Sequence, residues 1–246
     1  MNSLPMCMAL AVVAGGTLML AESVGAGTDP KEARLGDGKA DRVLFLGNSI
    51  TLHGPAPHIG WSGNWGMAAS ALENDYVHLL LRRLSEAVGR TPAAMVQNIA
   101  DFERNYDAYD VGSALKKQLE FNADLVIVAI GENVPAFPSE EAKNKFRNAL
   151  ASLLAALKKH GKPAIFVRSC FWPDKAKDEV MRKVCQEADG TFVDISRLAQ
   201  DESHYARSER TFAHAGVAAH PGDKGMRAIA DALWEAIARG SQRNAP

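Results

Sequence analysis

The stretch RVLFLGNSITLHG, Arg42–Gly54, decides how this chain is read. Val43–Leu46 is a run of four apolar residues of the kind that fills a buried strand, and it breaks at Gly47. Asn48, Ser49 and Thr51 follow at once. Either the strand simply ends in a polar loop, or Ser49 is a nucleophile carried on the turn beyond it. A lone Gly-x-Ser is weak evidence, because Thr51 stands where a Gly-x-Ser-x-Gly elbow would place its last glycine. The rest of the chain has to arbitrate.

Before this strand lies a polar, Gly/Asp-rich segment, residues 27–41, read as a linker. Before that, MCMALAVVAGGTLMLA is followed by the small-residue segment ESVGAG. The apolar stretch is too short and too rich in Gly and Ala for a comfortable membrane span. It reads as a secretory signal peptide over residues 1–26, cleaved after Ala26, although MNSLP ahead of it carries no Lys or Arg. Cys7 precedes the apolar stretch, which argues against a lipoprotein. The mature protein is therefore expected to be secreted or periplasmic, with one domain over residues 42–246.

Composition agrees with a soluble globular protein: 47% hydrophobic and 23% charged residues in 246. A net charge of -1 without a long basic run argues against nucleic acid and anionic membrane surfaces as partners. No Cys-x-x-Cys pair suggests a thiolate metal site. Export would leave Cys170 and Cys185 in an oxidising compartment, either joined or as two buried thiols.

After Gly54 short apolar runs alternate with helical patterns. Strands are expected at RVLFLG, AAMVQNIA, ADLVIVAIG, KPAIFVRSCF and TFVDIS. Helices are expected at NDYVHLLLRRLSEAVGR, SALKKQLEF, SEEAKNKFRNALASLLAALKKHG, DKAKDEVMRKVCQEA and GDKGMRAIADALWEAIARG, the last closed by Gly240. Strands apolar on both faces and separated by helices imply a parallel sheet covered on both sides. The fold class is α/β, a single three-layer α/β/α domain. Ligands of such sheets gather at the carboxyl ends of the strands. Here those ends carry Asn48 and Ser49, Asn98, Glu132 and Asn133, and Arg168 and Ser169.

Two more segments bear on Ser49. In AHAGVAAHPGDKGM, His220 precedes a proline and the start of an amphipathic helix, a rigid mount suited to a general base, though also to a plain helix cap. In IGEN, Asn133 stands two residues past a strand-ending glycine. It can aim its amide at a developing oxyanion, or merely form an Asx-turn before Pro135.

Taken together, FLGNSIT, GEN and HPGDKGM resemble, in order and placement, the blocks of the SGNH/GDSL hydrolase superfamily, and the resemblance runs from Arg42 to the C-terminal helix. It implies a flavodoxin-like sheet and a serine esterase that needs no metal and no cofactor. In that reading Ser49 is the nucleophile, His220 the base, and the Ser49 N–H and Asn133 side chain hold the oxyanion. A third donor normally comes from a glycine after the second strand. Here QNIADFE offers the N–H of Ala100 or Asp101, and Gly66 in the GNWGM loop competes. The family's acid, three residues before the histidine, is replaced by Val217. Glu132 is the first candidate to orient the imidazole, with Asp223 or a backbone carbonyl as alternatives.

Substrate hints are sparser. The loop HGPAPHIGWSGNWGMAASALEND carries Trp61, Trp65 and four glycines, Gly54, Gly60, Gly63 and Gly66; Trp172 follows another strand end. Indole faces near a polar centre suit sugar rings, although most tryptophans pack in cores. The expectation is an esterase removing short acyl groups, acetyl foremost, from a carbohydrate. Alternatives are a lysophospholipase or thioesterase-like acyl hydrolase, a sugar O-acetyltransferase, or a silent carbohydrate-binding scaffold.

Overall fold

The computed structural model describes residues 34, 35 and 38–243, with side chains over 40–239. The expected signal peptide, residues 1–26, and most of the expected linker lie outside the described residues. Within that linker, β1 (Arg34–Leu35) and β2 (Gly38–Lys39) pair as a short antiparallel ribbon.

The first strand of the main sheet is β3 (Arg42–Gly47), an interior strand. It pairs in parallel with β4 (Ala93–Asn98) on one side and β5 (Leu125–Ala129) on the other. The sheet continues through β6 (Ala164–Arg168) to β7 (Thr191–Val193), all parallel. The order β4-β3-β5-β6-β7 is 2-1-3-4-5 when only the strands of this sheet are counted, the flavodoxin-like winding. Gly47 is in register with both Asn98 and Ala129, so three strands stop level at one edge.

Side chains alternate across the sheet and feed two cores. Val43 and Phe45 of β3 pack with α1 (Tyr76–Val88) and α8 (Asp223–Arg243). Leu44 and Leu46 face the other way, toward α5 (Glu140–Lys159) and α6 (Lys175–Glu187). Strands buried on both faces cannot be strictly alternating in sequence, which is why these read as continuous apolar runs. The helices begin where capping chemistry places them. Asp75, Ser139 and Asp174 each accept a backbone N–H from the first turn of the helix that follows.

Two helices differ from expectation. The segment SALKKQLEF is not one helix but two, α3 (Val111–Ala114) and α4 (Lys116–Glu120), broken where Leu115 turns its side chain into the core. α8 does not stop at Gly240 but runs on to Arg243. A glycine ends a helix only where the chain adopts the left-handed conformation, as it does at Gly89 after α1. Two further short helices, α2 (Ala100–Arg104) and α7 (Ala215–Ala218), lie at the sheet edge where the strands end. Cys170 and Cys185 are separate buried thiols, and burial pushes both up, Cys185 to about 11.

Candidate active site

Beyond β3 the chain makes a tight turn in which the N–H groups of Thr51 and Leu52 both donate to Asn48 O at 2.9 Å. Gly47 permits this turn, since a methyl group there would collide with Thr51 Oγ1 and the Ala129 carbonyl. The turn lifts Ser49 above the sheet edge. From 171 positions later in the chain, His220 meets it, with Nε2 2.8 Å from Ser49 Oγ.

His220 is held from three sides. Its Nδ1 lies 2.7 Å from Gly216 O, the carbonyl one helical turn earlier at α7. A carbonyl can only accept, so Nδ1 carries the proton and Nε2 presents a lone pair to the serine hydroxyl. The His220 backbone donates to Val217 O and accepts from Ala206 N. The Trp172 indole packs perpendicular to the imidazole, centroids 5.3 Å apart. Burial lowers the imidazole from its usual 6.5; the Gly216 carbonyl and the Glu132 charge pull the other way without overcoming it.

Neither carboxylate considered for orienting His220 does so. Glu132 points beneath the turn, where it accepts from Arg168 Nη1 at 2.6 Å, Asn48 Nδ2 at 2.7 Å and Phe171 N at 2.9 Å. A buried carboxylate goes to the strongest donor available, and Arg168 at the end of the neighbouring strand is that donor. Burial raises Glu132, but the Arg168 guanidinium and the hydrogen bonds from Phe171 N and Asn48 together outweigh it and leave the carboxyl below its ordinary value. Asp223 accepts from the N–H and hydroxyl of Ser70. The imidazole is oriented by the backbone carbonyl, and Val217, at the position of the missing acid, packs into a small cluster with Ala56, Trp61 and Met67.

Asn133 follows Gly131, whose φ of 121° bends the chain away from β5. It makes no Asx-turn with its own backbone. Its Nδ2 donates to Glu103 Oε2 at 2.7 Å and its Oδ1 accepts from Arg104 Nη2 at 3.3 Å. One amide proton goes to Glu103, and the other has no acceptor among the described residues. Two of the three backbone candidates for a further donor are already engaged. Ala100 N donates to Asn98 Oδ1 at 2.9 Å, and Gly66 N to Asp75 Oδ2 at 3.1 Å. The N–H of Asp101, in the first turn of α2, has no acceptor within its helix.

Glu103 has no counterpart in the sequence reading. It is buried on α2, and in ADFER its charge stands among those of Asp101 and Arg104, so nothing local singles it out. Burial and the nearby Glu132 charge raise its carboxyl. Asn48 spans the two acids, donating to Glu103 Oε1 at 3.2 Å as well as to Glu132.

Around these groups opens a cleft of about 440 Å³ lined by Ser49, His53, Asn98, Asp101, Arg104, Asn133, His214 and His220, with Ile59, Met67 and Val217 as its larger apolar walls. The tryptophans do not form its walls. Trp61 is 7% exposed, stacks edge-on against Trp65 and donates to His53 O; Trp65 donates to Ala69 O. Both indoles staple their loop together, because their N–H groups find carbonyls only when turned inward. Trp172 is partly buried between Phe171 and His220. Among the described residues no three His, Cys, Asp or Glu side chains gather to hold a metal ion.

The sequence model of the GDSL-like lipase/acylhydrolase family matches residues 45–228. No curated protein sequence matches the chain. Among solved structures, a GDSL-like lipase from Bacteroides uniformis superposes with a TM-score of 0.51 at 14% identity, covering 82% of this chain and 97% of that one. A GDSL-like lipase from Parabacteroides merdae gives 0.50 at 19% identity, covering 81% and 96%. A lipase from a goat rumen metagenome gives 0.50 at 13% identity, covering 79% and 96%.

Proposed function

The chain belongs to the GDSL-like lipase/acylhydrolase family, and from that premise we propose that it is a serine esterase working through a Ser49–His220 dyad on short acyl esters of a carbohydrate. One observation carries the mechanism: Ser49 Oγ lies 2.8 Å from His220 Nε2 while Nδ1 is tied to Gly216 O. In that tautomer Nε2 takes the hydroxyl proton as Ser49 Oγ bonds to the ester carbonyl carbon. The carbonyl π pair moves onto oxygen, and the donors assigned to it in this reading are the Ser49 N–H, the second Asn133 Nδ2 proton and the Asp101 N–H, all on residues that line the cleft. The imidazolium returns its proton to the departing alkoxide, leaving acyl-Ser49 and a free alcohol. Water, deprotonated by the same imidazole, then releases the acid and restores the serine.

The proposed substrate class draws on the lining of the cleft. His53 Nδ1 lies 2.6 Å from Gly54 O and must donate to it, which leaves Nε2 as an acceptor. His214 Nδ1 accepts from Gly216 N at 3.1 Å, which leaves Nε2–H as a donor. With Arg104 and Asp101, these alternating donors and acceptors suit a polyhydroxylated alcohol. Ile59, Met67 and Val217 offer apolar surface for a short acyl chain and little for a long one, which weighs against lysophospholipid. Support for sugar rests on these groups and not on the tryptophans. The apolar N-terminal stretch supports an exported enzyme.

The test is hydrolysis of 4-nitrophenyl acetate beside longer-chain esters, and acetate release from acetylated glycans. Ser49→Ala and His220→Ala are each expected to reduce turnover by at least about a thousandfold. Equal activity in wild type and Ser49→Ala would sink the mechanism. Preference for a long acyl chain would overturn the substrate class.

A further inference from the structure

Four N–H groups converge on the buried carboxylate of Glu103. Gly131 N at 2.6 Å, Asn133 N at 3.2 Å and Asn48 Nδ2 at 3.2 Å reach Oε1, and Asn133 Nδ2 at 2.7 Å reaches Oε2. Backbone N–H groups can only donate, so Oε1 must be an acceptor. Asn133 is fixed from its other end too, because Arg104 Nη2 can only donate and therefore requires Oδ1 opposite it. The carboxamide thus has one orientation, with Nδ2 toward Glu103, as long as Oε2 also accepts.

We propose that Glu103 is a positioning residue for catalysis: its Oε2 holds the Asn133 carboxamide with its second N–H turned to the oxyanion. This rests on the esterase reading in which Asn133 is an oxyanion donor. A glutamine at this position has the same shape and can still satisfy the Oε1 donors with its single oxygen. It must then present its NH₂ to Asn133. Two NH₂ groups cannot pair, so Asn133 turns over, placing Oδ1 toward the glutamine and its NH₂ against the Arg104 guanidinium. The oxyanion then loses its donor, or meets a carbonyl oxygen in its place. Only an acid at 103 lets Asn133 offer a proton, and this explains why a charge is kept at a site where a neutral amide would be easier to bury.

The experiment compares wild type, Glu103→Gln, Asn133→Ala and the double variant, with Ser49→Ala as the blank. Glu103→Gln is expected to lower kcat by about a hundredfold or more, the size of a lost oxyanion donor, with KM within about threefold. The double variant is expected to match Asn133→Ala, because a donor already removed cannot be mispositioned. A role confined to stability would instead leave kcat per folded molecule intact, or add its effect to that of Asn133→Ala; either result overturns the proposal while the esterase reading stands. Absence of any Ser49-dependent turnover in wild type overturns both. Should Glu103→Gln fail to fold, wild type carries the test by nitrogen-15 NMR. The Asn133 carboxamide, assigned by its loss in Asn133→Ala, is expected to show one strongly downfield, slowly exchanging proton. Two averaged amide protons would overturn the proposal.

Discussion

Asn48→Asp changes one atom type at the centre of the buried network and keeps the side-chain shape. In wild type Nδ2 donates to Glu132 at 2.7 Å and Glu103 at 3.2 Å, while Oδ1 accepts from Ile50 N at 3.1 Å. An aspartate would put an oxygen where Nδ2 stands and face two carboxylates with no proton between them. At about 3 Å and an effective dielectric near 20, each such pair repels by about 5–6 kcal/mol. Arg168 offsets part of this through Glu132. The remainder is relieved by taking up a proton, so the variant's three acids hold one proton more in the folded state than in the unfolded chain. Two charge-assisted hydrogen bonds are also lost or weakened, and the total expected at neutral pH is about 3–5 kcal/mol. The sign is fixed by linkage. The new acid has a folded pKa above its unfolded value near 4, so the folded state binds the extra proton between those values and stability falls as pH rises. The gap from wild type should be small near pH 4 and open by up to about 1.4 kcal/mol per pH unit above it. Urea unfolding of both proteins across that range measures it. A gap that does not vary with pH would instead mean a merely steric defect, which has no proton to release, and no buried acid cluster sharing a proton.

Other perturbations probe the neighbouring groups. Burial lowers His220, and a general base works only when neutral, so the acid limb of kcat/KM is expected below 6.5; a pH profile with its midpoint above 6.5 contradicts this. Trp172→Ala removes the indole packed against His220 and is expected to lower kcat by about tenfold with KM little changed, measured on a short acyl ester. Gly131→Ala would force an L-residue to a φ of 121° with its methyl against Cys170 Sγ; thermal or urea unfolding should show a loss of about 2–4 kcal/mol, and a neutral result would mean the bend before Asn133 is less constrained than described.

Much of this arrangement is legible in the sequence because it depends on local features. The strand runs, the capping Asp75, Ser139 and Asp174, and the polar residues after each strand carry their own signals, and a parallel sheet brings strand ends together whatever lies between. Ser49 and His220 stand out for that reason, each in a short segment of recognisable order. The partners of Glu132 and Glu103 do not. Glu132 lies on the expected edge, yet which way it turns is set by Arg168 from another strand. Glu103 gains its role from Asn48, Gly131 and Asn133, which lie 28 to 55 positions away. The indoles of Trp61 and Trp65 could equally have faced a ligand; two carbonyls of their own loop decide that they face inward.

The carbonyl of Gly216 has a consequence for heredity. An acid that orients a catalytic histidine can be lost by a single codon change, because the group belongs to one kind of side chain. A peptide oxygen belongs to every residue, so even Gly216→Ala would retain it, and position 217 is free to serve packing instead. What this enzyme gives up is the negative charge of an aspartate beneath its imidazole. What it gains is an orienting group outside the reach of point substitution, one that disappears only if the turn of helix carrying it unwinds.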